Sequence, residues 1–182
     1  MDRKYDRFVG GIFAVGTIII IFYFFINREF FEWAFDRHHN ILSWYIRPLF
    51  VIPIVIGAYR KSFTLIFISI FSLFTSMFWF PKPDRIDTNV IKFLDFEKNY
   101  LMSGWSTDKI FVLIAVILFF IFLIYATWVR KLKLLLIVIT VSPLLKILHS
   151  VLFSSNSGFS IVKPAVIGVV ICIAVIVLFF KK

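Results

Sequence analysis

The chain has one cysteine, seven glycines, and charge on only 16% of its 182 residues. Each scarcity excludes something. A single thiol cannot close an intrachain disulfide or build a thiolate zinc site or an iron–sulfur cluster. Cys172 sits mid-run among Val and Ile, where a lone thiol is expected to be a small, inert core residue. So few glycines leave little room for a phosphate-cradling loop, and no Gly-x-Ser-x-Gly elbow or Asp-x-Asp pair occurs. Soluble domains carry charge on roughly a quarter of their residues. Here the charges gather between apolar runs, and no Asp or Glu falls inside any run. That argues against a proton or sodium pump built on a midplane carboxylate. No 20–50-residue self-similarity, lipidation motif or Asn-x-Ser/Thr acceptor is present.

What is abundant is apolar length. Hydrophobic residues make up 61% of the chain, aromatics 20%, and the mean hydropathy is +0.97. A helix needs about 20 apolar residues to cross a hydrocarbon core roughly 30 Å thick. Six runs qualify: 8–26, 41–59, 63–80, 110–129, 134–153 and 161–180. The expected fold is all-α, a single domain of six transmembrane helices with two short interfacial helices on the outer face. The polar segment 81–109 is the largest piece between spans. The first run is longer than a signal h-region and ends without a small-residue cleavage pattern, so it reads as a retained span.

Cytoplasmic connections carry the excess of Lys and Arg. With the N-terminus inside, that side collects ten basic residues (Arg3, Lys4, Arg7, Arg60, Lys61, Arg130, Lys131, Lys133, Lys181 and Lys182) against Asp2 and Asp6. The other side holds ten basic residues against eight acids. The expectation is a multi-pass protein of the cell (cytoplasmic) membrane with both termini cytoplasmic. The net charge of +10 is thereby assigned to topology, and nucleic acid is not expected as a partner.

The runs differ in quality. Pro48 and Pro53 should bend the second and Pro143 the fifth, because each removes a backbone donor. Such helices are expected to line something. Ser69, Ser72, Thr75 and Ser76 give the third run a small-residue seam for close packing. Gly10, Gly11, Ala14 and Gly16 could pack the first. On the outer side, 27–40 reads as a short helix with Phe30, Phe31, Trp33, Ala34 and Phe35 on its apolar side. A second short helix is expected after Pro81-Lys82-Pro83, capped by Asp87 or Thr88 and stopped at Gly104, with Val90, Ile91, Leu94 and Leu101 as its stripe. Residues 154–160 read as a small polar turn.

Whatever chemistry there is should lie on this face. Lys146 is about 10 Å inside the fifth run at 1.5 Å per residue, with His149 one turn outward and Ser142 one turn inward. Arg47 lies just inside the second. An ionisable residue at such depth is a functional hypothesis, against which stands snorkelling to the headgroups. If these helices are neighbours, the two cations need an anion between them: Glu97, Asp95 or a ligand. Arg47, Lys146 and His149 are therefore the candidate ligand-binding residues. Glu32, Asp36, His38, Glu97 and His149 are the candidate acid–base groups, since they can titrate near neutral pH. His38 and His39 cannot point the same way, and no His-Glu-x-x-His spacing occurs, so neither a metal nor another cofactor is expected.

Three functions remain in view: a small transport or ligand-binding membrane subunit with an outward-facing polar pocket, an outer-leaflet enzyme acting on a lipid headgroup or lipid-linked sugar, and an accessory subunit of a larger membrane complex. The partners these imply are the lipid bilayer, an anionic lipid or small anionic ligand at the outer face, and other membrane subunits.

Overall fold

The computed structural model describes the backbone of residues 2–181, and Lys182 of the basic C-terminal pair lies outside the described residues. The fold is all-α. Helix α1 (Arg3–Ile26) starts at Asp2, whose carboxylate accepts from Lys4 N, and stops at Asn27. Asn27 Oδ1 then caps α2 (Arg28–His38) through Phe30 N at 2.8 Å. The second apolar run is broken by its prolines into α3 (Leu42–Leu49) and α4 (Val51–Tyr59), joined at Phe50. Next come α5 (Phe63–Thr75), α6 (Thr88–Met102), α7 (Thr107–Trp128), α8 (Leu132–Phe153) and α9 (Val162–Phe180). Five stretches are long and apolar enough to cross a membrane: Arg3–Ile26, Leu42–Tyr59, Thr107–Trp128, Leu132–Phe153 and Ser157–Phe180. On length and composition the chain is a multi-pass integral membrane protein.

The third run departs from expectation. It is not helical to Phe80: α5 ends after 13 residues and continues only as a three-residue 3-10 turn, Ser76–Phe78. Together these rise about 25 Å, short of a full core. The seam residues supply the cause. Thr75 Oγ1 bonds back to Phe71 O at 3.0 Å and Ser76 Oγ to Leu73 O at 2.8 Å, while Trp79 Nε1 donates to Thr75 Oγ1 at 3.1 Å. Local hydroxyl bonds of this kind compete with the helical ladder and tighten its last turn. The stretch read as a polar turn after α8 is likewise a 3-10 helix, Ser155–Ile161.

Two connections are built alike. After α4, Lys61 takes φ 57° and Ser62 N reaches back to Gly57 O at 2.9 Å; after α7, Arg130 takes φ 57° and Lys131 N reaches Ala126 O at 2.9 Å. Each is a six-to-one closure with a left-handed residue beyond the cap. Both turns lie at one end of the bundle, where cations sit on rings: Lys61 on Trp128 (5.6 Å), Arg130 on Tyr59 (4.6 Å) and Arg7 on Phe63 (5.9 Å). Tyr59 also meets Phe180 at 5.2 Å, so the chain's last turn closes the same end.

Packing follows from small residues. A Cβ on Gly10 would lie 2.8 Å from the Phe63 carbonyl carbon, so α1 and α5 touch backbone to backbone. Asp6 locks that crossing: it accepts from Phe63 N and Ser62 Oγ at 2.8 Å each, and its backbone oxygen accepts from Thr64 Oγ1 at 2.9 Å. One core joins α4, α5, α7, α8 and α9 through Ile54, Val55, Ile66, Leu123, Leu135 and Cys172. A second lies under α2 and α6, through Phe31, Phe35, Trp44, Phe93, Leu94 and Ile161. Both short helices therefore bury their apolar sides against protein. In α6 that side is Val90, Phe93 and Leu94, while Ile91 and Leu101 are exposed.

Candidate functional site

Opposite the basic end, α2 and α6 lie over the mouths of the longer helices and carry polar groups inward. Helix α2 and the residues just after it are anchored by three ties to the 3-10 turn and the segment that follows it. Arg37 Nε donates to Phe78 O at 2.6 Å, Asn40 Nδ2 to Pro81 O at 3.0 Å, and Lys82 pairs with Asp36 at 3.0 Å. Its last residue, His38, is thereby buried beside α3. There His38 Nδ1 lies 3.0 Å from Ser43 Oγ and Nε2 lies 3.3 Å from Arg47 Nη1. Because the Ser43 hydroxyl donates to Asn40 O at 2.8 Å, its oxygen is left to accept from His38. An arginine can only donate. The network thus assigns the proton to Nδ1 and leaves Nε2 as the acceptor for Arg47, a neutral tautomer. Burial, and then the charges of Arg47, Lys146 and His39, hold the His38 pKa well below the usual imidazole value. Trp44 Nε1 completes the corner by donating to His38 O at 2.9 Å.

Helix α6 places its own groups by register. Phe93 and Leu94 are buried, so Glu97 and Tyr100, one and two turns on, continue the same side. Glu97 Oε1 receives Lys146 Nζ at 2.6 Å. Of the candidate anions for the two cations (Glu97, Asp95 or a ligand), Glu97 of α6 is the one paired with Lys146. Tyr100 stacks edge-on against His149 at 5.9 Å, and His149 meets Phe153 at 4.8 Å. Among the described residues, Tyr100 Oη is the one buried side-chain polar atom without a hydrogen-bond partner. Burial, with the Asp108 carboxylate nearby, pushes the phenol up to about 12, so the hydroxyl stays protonated and available as a donor.

These side chains converge on a cavity of about 780 Å³, whose polar lining includes His38, Arg47, Glu97, Tyr100, Lys146 and His149. The rest is mostly apolar and aromatic, drawn from α1, α2, α5, α7 and α8. A neighbouring cavity of about 290 Å³ shares His38, Arg47, Glu97 and Lys146 and runs toward Pro48, Pro143 and Cys172. The proline-bearing helices do line the cavities. The close approach of α9 to α3 depends on Gly168, where a Cβ would meet Pro48 Cβ at 2.5 Å.

Two acid–base candidates lie elsewhere. Glu32 pairs with Arg28 at 3.0 Å and with Lys98, and Asp36 pairs with Lys82; neither lines a cavity. His39 turns away and bonds Phe35 O at 3.0 Å. The hydroxyls of Ser69, Thr75 and Ser76 bond back to their own helix, and none of the seam residues lines either cavity. Among the described residues no three His, Cys, Asp or Glu side chains gather closely enough to hold a metal ion. Sequence reasoning passed over Tyr100 and Ser43. The former was detectable from its seven-residue spacing to Phe93; the latter acts only through the tautomer it fixes.

The electrostatic sum is simple. Lys146 and Glu97 balance, His38 is neutral, and Arg47 has no carboxylate at ion-pair distance among the described residues. The cavity wall therefore holds one excess positive charge, which suits an anionic or acceptor-rich group, and a phenol donor whose neighbour outside the lining is the Asp108 carboxylate. No family model, curated protein or solved structure matches this chain.

Proposed function

We propose that this protein is a small ligand-binding or transport subunit of the cell membrane, with an outward-facing pocket that takes an anionic group. In this reading the five long helices and the shorter α5 make six crossings, and the ring of Arg7, Lys61, Arg130 and Lys181 faces the cytoplasm. The observation that carries it is Arg47: a guanidinium in the wall of a 780 Å³ cavity, bonded to a neutral histidine and not to a carboxylate. A cation placed so deep is costly, and a site that leaves it without a counter-ion is prepared for one. The cavity's size and apolar lining with a few convergent polar groups are those of a small-molecule site.

The Lys146–Glu97 pair also suits an accessory protein whose ions are structural. The two readings separate by thermal melting in detergent, with and without anionic lipid or organic phosphate. A binding subunit gains several degrees from ligand, and Arg47→Gln abolishes the gain while the unliganded protein still folds. Lys146→Met leaves Glu97 unpaired and lowers the unliganded melting temperature. A melting temperature indifferent to every anion, in wild type and Arg47→Gln alike, overturns the binding reading in favour of the accessory one.

A further inference from the structure

The large cavity is not closed on its flank. Helix α1 packs on α5 and α2, and α7 on α8 and α4, so the cavity lies in the gap between α1 and α7. Several residues that line it are at the same time exposed: Phe25 (58%) on α1, Phe111 (67%) on α7 and Leu145 (59%) on α8. The lining descends α7 as far as Phe119, twelve residues from its start, a depth of about 18 Å. The Arg47 and Tyr100 donors both line this space, and most of its wall is apolar; with the long helices in a bilayer, its flank would open toward acyl chains.

We infer that the ligand is a membrane lipid with an anionic phosphate headgroup, which enters between α1 and α7 with its chain against Phe111–Phe119 and its phosphate toward Arg47 and Tyr100 Oη. The inference rests on the binding reading above and adds the class of ligand and its route. A water-soluble anion would satisfy Arg47 equally but would leave the deep apolar slot empty. Burial of an unpaired hydroxyl is unfavourable, whereas a phosphate oxygen would satisfy it.

The test is native mass spectrometry and thermal melting of the full chain in detergent, with dioleoyl phosphatidylglycerol, dioleoyl phosphatidylcholine and glycerol 3-phosphate as probes. Phosphatidylglycerol should be retained about tenfold better than phosphatidylcholine. Tyr100→Phe should weaken that retention about tenfold or more, the worth of a hydrogen bond to a charged group, with little change in the unliganded melting temperature because Tyr100 Oη makes no direct hydrogen bond to protein. Ala115→Trp, which fills the slot from α7, should remove the preference. Ile18→Trp, at an exposed α1 position outside the cavity, should keep it. Equal retention of the two lipids, or identical behaviour of the two tryptophan variants, overturns the lipid assignment. Glycerol 3-phosphate stabilising wild type and Ala115→Trp alike would also overturn it while leaving the anion pocket standing. If Arg47→Gln changes the response to neither phosphatidylglycerol nor glycerol 3-phosphate, the pocket reading falls as well.

Discussion

At the scale of single residues, the site's chemistry depends on one proton. His38 Nε2 can accept from Arg47 only while the ring is neutral; burial, and then the charges of Arg47, Lys146 and His39, keep it so, against the opposing Glu97 carboxylate in the same wall. The unfolded chain would protonate this histidine near its ordinary value of about 6.5. The folded chain resists until lower pH, so below about 6.5 the unfolded state binds more protons and stability falls as pH falls. The slope is at most about 1.4 kcal/mol per pH unit for one proton. Wild type should therefore melt at lower temperature at pH 5.5 than at pH 7.5, and His38→Gln should flatten that difference. An unchanged slope in the variant would assign the acid sensitivity to other groups.

At the scale of elements, the crossing of α1 and α5 combines close contact with a cap supplied from a distance. Ser62 caps its own helix through Leu65 N at 3.3 Å, while Asp6, 57 residues before Phe63, satisfies Phe63 N at 2.8 Å. The first N–H groups of a helix have no partner within it, and they carry the positive end of its dipole. Asp6→Asn keeps the shape but loses the charge and offers one acceptor oxygen in place of two. A loss of about 1–3 kcal/mol is expected from charge-assisted bonds at a cap. Reversible unfolding in mixed micelles would measure it, with Asp2→Asn as the exposed comparison, expected to change little. Equal effects of the two would show that Asp6 acts only as a surface charge. The two matched turns at Lys61 and Arg130 show the same economy, placing a long cation where a glycine would fit the backbone best and covering an aromatic ring with it.

At the scale of the whole molecule, the bundle is polarised. One end carries the Arg7, Lys61 and Arg130 ring contacts, and the other carries α2, α6 and the 3-10 helix Ser155–Ile161 around the cavities. Because Cys172 is buried and single, topology can be tested in its own background. In a Cys172→Ala chain, Ser103→Cys should react with a membrane-impermeant maleimide applied to intact cells. Lys131→Cys should react only after permeabilisation. The reverse pattern would invert the orientation and close the outer-face reading of the site.

Composition and local backbone chemistry were enough to give the helical class, the long apolar stretches, the basic cluster at one end, and the break of the second run near its prolines, whereas the fifth run passes through Pro143 as one helix. The sequence also placed the start of α6 at Asp87 or Thr88, of which Asp87 is the cap, and its stop at Gly104, where capping is local. What it could not determine were facts of pairing. The third run is apolar enough to span, yet its hydroxyls shorten the helix through bonds that hydropathy does not register. Glu97 and Asp95 were equivalent on paper, and only the register of α6 against Trp44 and Ile161 turns Glu97 toward Lys146. Arg47 and Lys146 were two isolated cations in separate runs. The tertiary structure gave them one wall, balanced one with a carboxylate and left the other facing a cavity, because counter-charge is a property of neighbours in space.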